Sequence, residues 1–444
     1  MATEGSWGVT PVPERLRTLS ALDLTLLWGN LGVSLLVLVT AAFLVPALSV
    51  PQALAAVLVG SVIGNLMLGT AGMIGADARV PAMVLMRGPL GRRGSYGATG
   101  LNVAQCLGWA TFEIVIIAAA ASALSDRLFG LRAEAAWTVA TGAVALALAL
   151  LGPIGVVRRV IRKFAVWVVL ASLVYLTWWA LDDADLGALW SAPGEGGTTF
   201  VAGVDLVIAI TVSWIPLAAD YTRFGRTRRA ALVGTGGGYF LAATWMFLLG
   251  GLLVLAKGLS DPAEVPAGVA AAGLASALAL LAVTVDEADE AFANVYSTAV
   301  SLQNLVPRAS QRLLLAGVAG VATLGALTIE LSSYETFLLL LGSFFVPLFG
   351  VLLADWLLSG ASYADRDLLD GGPALRPGLV GAWIAGFALY QWLHPLGPSW
   401  WVELVVRTGP PETQIGSSLP SFALAFALAS AAILAERRLR AEPA

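Results

Sequence analysis

DEADEAFANVYS, residues 286–297, places four carboxylates (Asp286, Glu287, Asp289 and Glu290) directly after the apolar run Ala267–Val285 and just before Asn294, Tyr296 and Ser297. The next basic residue, Arg308, comes only after Leu302–Pro307. At about 1.5 Å rise per residue, a helix from Asn294 to Asn304 covers roughly 15 Å, half of a bilayer core of about 30 Å. Asn294 therefore falls near mid-membrane, with the acids a turn or two further out. A carboxylate at such depth costs at least about 2.5–3.5 kcal/mol, so it normally lines a water-filled path, a substrate site or an ion site. The competing reading makes Asp286–Glu290 an extracellular loop after a separate span. That would leave only Ala291–Asn304 to return across the membrane, fewer than the ~20 residues a spanning helix needs.

The rest of the composition agrees with a membrane setting. Of 444 residues, 58% are hydrophobic and only 12% charged, and the mean hydropathy is +0.83. Soluble domains are not that apolar over such a length, so the chain reads as an all-α, polytopic integral membrane protein whose main partner is the lipid bilayer. A single cysteine, Cys106, excludes an intrachain disulfide and a cysteine metal cluster. A single histidine, His394, argues against a histidine metal site or a histidine-based triad. The net charge of −4 argues against nucleic-acid partners. Met1–Ser20 is polar, with Pro11, Pro13, Arg15 and Arg17, and reads as a tail without a cleavable signal peptide.

Apolar runs long enough to span fall at 22–45, 51–75, 97–124, 134–152, 164–181, 200–219, 231–256, 268–304, 311–331, 335–358, 377–394 and 418–436, about twelve in all. With twelve spans, 21 of the 25 Lys and Arg residues lie on one side; the other holds only Arg127, Arg132, Lys257 and Arg407. The positive-inside rule then puts both termini in the cytoplasm of a multi-pass cell-membrane protein. An alkaline phosphatase fused to the C-terminus should accordingly be inactive, and an active fusion would overturn this topology.

Two spans carry matching interruptions, Gly29-Asn30-Leu31-Gly32 in the first and Ser213-Trp214-Ile215-Pro216 in the sixth. Inside lipid a broken helix is tolerated only where it lines a cavity. Paired breaks five spans apart point to an inverted-repeat transporter with its substrate between the half-helices. In the third span, GWATFE (Gly108–Glu113) sets Trp109 and Glu113 four residues apart, on one face and a turn apart. An indole beside a carboxylate suits a flat heterocycle: the ring stacks on Trp109 while Glu113 accepts from ring N–H or exocyclic NH₂ groups. Packing or membrane anchoring accounts for most of the fifteen tryptophans, but Trp109 sits beside a glycine and well inside its span. A GxxxxGK[ST] phosphate loop is absent, as are paired Tyr-Asp and Gly-x-Gly-Asp segments. Coupled transport without a cofactor is the simplest use of buried acids; an intramembrane hydrolase or a channel are the readings of other classes.

At these residues the chain resembles the nucleobase:cation symporter-1 family, transporters of cytosine, purines, allantoin, hydantoins and hydroxymethylpyrimidine. The resemblance runs nearly end to end. It is carried by Trp28-Gly29-Asn30, GADARVPAMVLMRGPLGRRGSYG (Gly75–Gly97), LNVAQCLGW leading into the third span, SWIPLAADYTRFGR (Ser213–Arg226) and ANVYSTAVSLQN (Ala293–Asn304). It implies a five-plus-five inverted repeat of LeuT type, residues 22–182 and 200–358, with two added spans over 375–436 and short tails at 1–21 and 437–444. It also implies that Trp109 stacks on the substrate, that Glu113 and Asn294 hydrogen-bond it, and that Trp214 closes the sandwich from the other face. The broken first span, with Gly29, Asn30 and Gly32, would complete the pocket. The SW-x-P-L-x-x-DY-x-R form resembles the cytosine and hydroxymethylpyrimidine branches more than the hydantoin-type members.

One departure bears on coupling. Sodium-coupled members place two adjacent small or hydroxyl residues six and five before that Asn; here the positions hold Ala288 and Asp289. A carboxylate there can carry a proton or bind Na⁺ directly, with Glu290 and Asp286 beside it as further coupling residues. The expectation is an H⁺- or Na⁺-coupled importer of cytosine or a purine, or else of hydroxymethylpyrimidine, a hydantoin or allantoin.

Overall fold

The computed structural model describes residues 9–156, 166–182, 184–259, 264–329, 334–369, 371–410 and 415–441. Within them the chain is helical, with no strand beyond an isolated bridge between Leu19 and Gly225. The helices used below are α1 (Ala21–Asn30), α2 (Leu35–Thr40), α3 (Val50–Ala78), α4 (Ser95–Phe129), α5 (Glu134–Val156), α6 (Val166–Leu181), α7 (Phe200–Ser213) and α8 (Ile215–Thr222). They continue with α9 (Arg228–Lys257), α10 (Leu274–Leu305), α11 (Gln311–Ala326), α12 (Tyr334–Leu358), α13 (Pro377–Leu393) and α14 (Ser418–Ala441). Among the described residues, seven helices are long and apolar enough to cross a bilayer, eight if the bent pair α1–α2 is one span. Each predicted apolar run coincides with a helix or a helix pair.

The break in the first span lies where its glycines predict it. Ser20 starts α1 with a capping box to Asp23, and the helix stops at Asn30. After a 57° bend, Ser34 caps the new start at α2 by accepting from Leu36 and Val37 N–H. The sixth span is interrupted less. Only Trp214 separates α7 from α8, still in right-handed helical conformation, and Pro216 begins the second half without an N–H to satisfy. The eighth run is not one helix: Gly273, at φ 153°, divides a short helix over Val265–Ala271 from α10. Beyond that point α10 runs unbroken through the acidic stretch, so Asp286–Glu290 is helix and not loop.

The helices sort into two packed groups. The halves of the first and sixth spans pack with α3 and α9, while α4, α5, α10 and α11 pack on one another; α6 touches both α9 and α10. Small residues allow the closest crossings. A Cβ on Gly238 of α9 would strike Thr25 O of α1, and one on Gly250 would strike Leu38 O of α2. The last three helices form a flank against α7, fixed at both ends. At one end Arg376 bonds Asp355 Oδ1 at 2.5 Å, Gly88 O at 3.0 Å and Glu436 Oε2 at 3.1 Å. At the other, the Asp205 carboxylate accepts from Ser417 and Ser418 N–H at 2.5 and 3.2 Å. Asp286, Glu287 and Glu290 of α10 face the seam between the two groups.

Candidate functional site

Glu287, Glu290 and Asn294 recur at i, i+3 and i+7 and so share one stripe of α10. Glu113 reaches the same place from α4. Its carboxylate and those of Glu287 and Glu290 bring oxygens within 4.8 Å of one another, and all three residues are buried. Among the described residues these are the side chains whose oxygens converge closely enough to hold a cation.

The same turn of α10 grips the broken first span. Asn30, the last residue of α1, donates from Nδ2 to Asp286 Oδ1 at 3.0 Å. Ser34 Oγ donates to Glu287 Oε1 at 2.9 Å, and Leu35 N–H donates to Glu287 Oε2 at 2.7 Å. Glu287 thus sits at the exposed N–H end of α2, where helix geometry favours an anion. Thr40 and Leu36 of α2 also lie within 3.4 and 3.5 Å of the Tyr334 hydroxyl of α12. Asn294 turns its amide back on its own helix, donating to Glu290 O at 3.2 Å.

Trp109 stands one turn before Glu113 and is 8% exposed. Tyr334 and Phe337 meet its ring edge-to-face at 5.7 and 5.6 Å. Gly108 makes this possible, since a Cβ there would come within 2.6 Å of the Phe337 ring. The indole Nε1 has no hydrogen-bond partner among the described residues. Trp214 lies in a second aromatic group: its Nε1 donates to the Tyr239 hydroxyl at 3.0 Å, and its ring meets Trp28 at 5.8 Å. The two groups are joined by Gln105, which donates to Ser213 O at 3.0 Å.

The structure therefore brings together Glu113, Glu287 and Glu290, with Trp109 a turn from Glu113, Asn294 a turn from Glu290, and Asp286 bonded to Asn30 at the break. Gly29 and Gly32 are oriented differently: a Cβ on either would point into α9, at 3.6 Å from Gly238 O and 3.0 Å from Ala242 Cβ. Ala288 is buried on α10, and the side chain of Asp289 lies outside the described residues. Sequence reasoning named Glu287 among the acids but gave it no role, and it missed Tyr239, Tyr334 and Gln105. The spacing of Glu287, Glu290 and Asn294 was a usable signal for Glu287; the others are polar groups in apolar helices with no pattern of their own.

Residues 11–370 match the sequence family described as permease for cytosine/purines, uracil, thiamine and allantoin. The chain belongs to this family. Among its relatives is the cytosine permease of Escherichia coli K12, 24% identical over 365 residues that cover 82% of this chain and 84% of that one. A shorter stretch of 86 residues is 37% identical to the allantoin permease of Bacillus subtilis, covering 17% of each chain. The permease also shares the fold of Mhp1, a nucleobase-cation-symport-1 family transporter in a closed conformation with bromovinylhydantoin bound. The TM-score is 0.78 at 20% identity, over 97% of this chain and 96% of that one. The inward-facing form of Mhp1 superposes with a TM-score of 0.73. The fold is the all-helical, five-plus-five inverted repeat of LeuT type, and the permease is a transporter and not an enzyme.

The family motif Ser213–Arg226 acquires a structural role in this permease. On the face that carries the basic loops, α8 is sealed against its neighbours. Tyr221 donates to Ala293 O at 3.2 Å, Arg223 to the Tyr296 hydroxyl at 3.2 Å, and Asp220 accepts from Ala82 N–H at 2.9 Å. The N-terminal stretch lies over this seal: Leu19 N–H donates to Phe224 O and Arg226 N–H to Leu19 O, at 3.0 and 2.9 Å. Arg17 adds bonds to Gly225 O and Ala76 O.

Proposed function

We propose that this permease imports a nucleobase or similar small heterocycle, cytosine or a purine foremost, by alternating access with H⁺ or Na⁺ as the coupling ion. The observation that carries the reading is the meeting of Trp109 and Glu113 on α4 with Glu287 and Glu290 on α10, at the break of the first span. A flat ring would lie on the indole, with its N–H or NH₂ groups directed to the carboxylates and to Asn294. Substrate and cation would bind from the face opposite the basic loops, after which the two helix groups rock about the site. Both termini are then cytoplasmic, and Asp286, Asp289 and Glu290 are the coupling residues of this reading. A second reading, a hydantoin- or allantoin-type substrate, is favoured by the 37% identical stretch shared with the allantoin permease.

Uptake of radiolabelled cytosine into proteoliposomes should saturate and should collapse with an ionophore. Repeating the affinity measurement in choline and in sodium buffer at two pH values separates the coupling ions. Affinity that tightens with Na⁺ and ignores pH identifies sodium; the reverse identifies the proton. Linear, ionophore-insensitive flux would mean a channel.

A further inference from the structure

An apolar cavity of about 330 Å³ lies away from the acids, at the ends of α3 and α9 remote from Arg79 and Arg228. Leu44 and Val45 line it from the stretch after α2, Leu54 from α3, Leu248 and Gly251 from α9, and Trp190 from the short helix Leu186–Ser191. Asp185 caps that helix by accepting from Ala188 N–H at 3.0 Å. The chain beyond it is tied to the end of the first span: Glu195 N–H donates to Pro46 O and Gly196 N–H to Ala47 O, at 2.9 and 3.0 Å. The indole nitrogen of Trp190 is the only polar side-chain atom among the lining residues. Leu44 and Val45 are 2% and 3% exposed, whereas Leu248 is 37% and Trp190 55% exposed. The cavity is therefore closed toward the first span and open on the side of α9 and the short helix.

Water does not fill such a space, because a buried water needs about two to four polar partners. A polar heterocycle would leave its hydrogen-bonding groups unmet there for the same reason. Hydrocarbon fits, and the surroundings indicate its source. The open side continues as lipid-facing rows: Leu58, Val62 and Leu66 follow Leu54 at every fourth position of α3, Leu241 stands two turns from Leu248 on α9, and these four are 41–65% exposed. At about 1.5 Å rise per residue, Leu54 to Val62 covers roughly 12 Å, within the ~15 Å of hydrocarbon in one leaflet. Trp190 stands at the outer end of this path, where an indole sits at the level of the headgroups. We propose that the cavity seats one acyl chain of a phospholipid from the leaflet opposite the basic loops, with its headgroup at the level of Trp190. Leu44 and Val45 belong to the outer half of the first span, so the chain packs on the segment whose start Glu287 holds.

The test is photolabelling of the full-length chain in phosphatidylcholine vesicles that contain a phosphatidylcholine with a diazirine near the carboxyl end of one acyl chain, followed by peptide mapping. A seated chain should label Leu44 and Val45, which a lipid passing over the surface does not reach, as well as the exposed Leu58. A Cβ on Gly251 would meet only Val45 Cγ2, at 3.8 Å, so Gly251→Leu fills the cavity without striking backbone. In that variant the label on Leu44 and Val45 should fall about tenfold, the loss expected when a few buried methylenes are displaced, while the label on Leu58 stays. Wild-type label confined to Leu58 and other exposed positions would overturn the proposal. So would label on Leu44 and Val45 that Gly251→Leu leaves unchanged. Label that disappears from the whole cavity as the protein-to-lipid ratio rises would assign the groove to a second copy of the chain, and would overturn it too. The wild-type pattern decides the matter even if the variant does not fold.

Discussion

Replacing Glu287 with alanine is expected to reduce uptake in proteoliposomes to about a hundredth of the wild-type rate or less. The carboxylate accepts from Ser34 Oγ and Leu35 N–H, and the residues on both sides of these bonds are almost wholly buried. A hydrogen bond to a charged group contributes about 1.5–3 kcal/mol, and a buried donor left without its acceptor costs a similar amount. A loss of ~3 kcal/mol from the closed arrangement shifts a two-state equilibrium by roughly a hundredfold. Glu287→Gln keeps one carbonyl for the Leu35 N–H and should retain a larger share of uptake. Near-wild-type transport by Glu287→Ala would remove this residue from any part in closing the outer half of the first span.

Trp109→Ala should weaken substrate affinity by roughly ten- to a hundredfold, the equivalent of the ~1–3 kcal/mol that base–aromatic stacking contributes. The edge-to-face contacts with Tyr334 and Phe337 fix the indole before substrate arrives, so little ordering remains to oppose binding. Truncation also leaves those two rings without their neighbour, and the substrate-free unfolding midpoint measures that separate loss. Trp109→Phe restores a ring face and should recover most of the affinity. Unchanged affinity in Trp109→Ala would place the site elsewhere in the chain.

Much of this arrangement is readable from residue order. The apolar run around DEADEAFANVYS left no room for a loop, and α10 indeed passes through it without interruption. Gly29-Asn30-Leu31-Gly32 marked the break between α1 and α2, because glycine weakens helix. The glycines themselves answer to packing on α9, a constraint that depends on a helix some two hundred residues away. Ser213-Trp214-Ile215-Pro216 reads as a matching break in the sixth span, yet proline near the start of a helix is well tolerated and only Trp214, itself in right-handed helical conformation, separates the two halves. Glu287 stood among the four acids without an assigned role for a different reason. Its partners Ser34 and Leu35 stand 253 and 252 residues away, and no local spacing connects them. Tyr221 and Arg223 lay inside a family motif, but their bonds to α10 exist only once the two helix groups meet.

Asp286 and Glu287 are neighbours in sequence, yet one holds the end of α1 and the other the start of α2. Adjacent side chains on a helix leave it about 100° apart in direction. A roll of α10 about its own axis therefore carries one carboxylate toward its partner as it draws the other away. The two halves of the first span are coupled like the arms of a differential, where slack on one side is tension on the other. Simultaneous release of both, which would leave an open leak, requires α10 to move bodily outward against its packing on α4. A roll of α10 alone would free one half at a time.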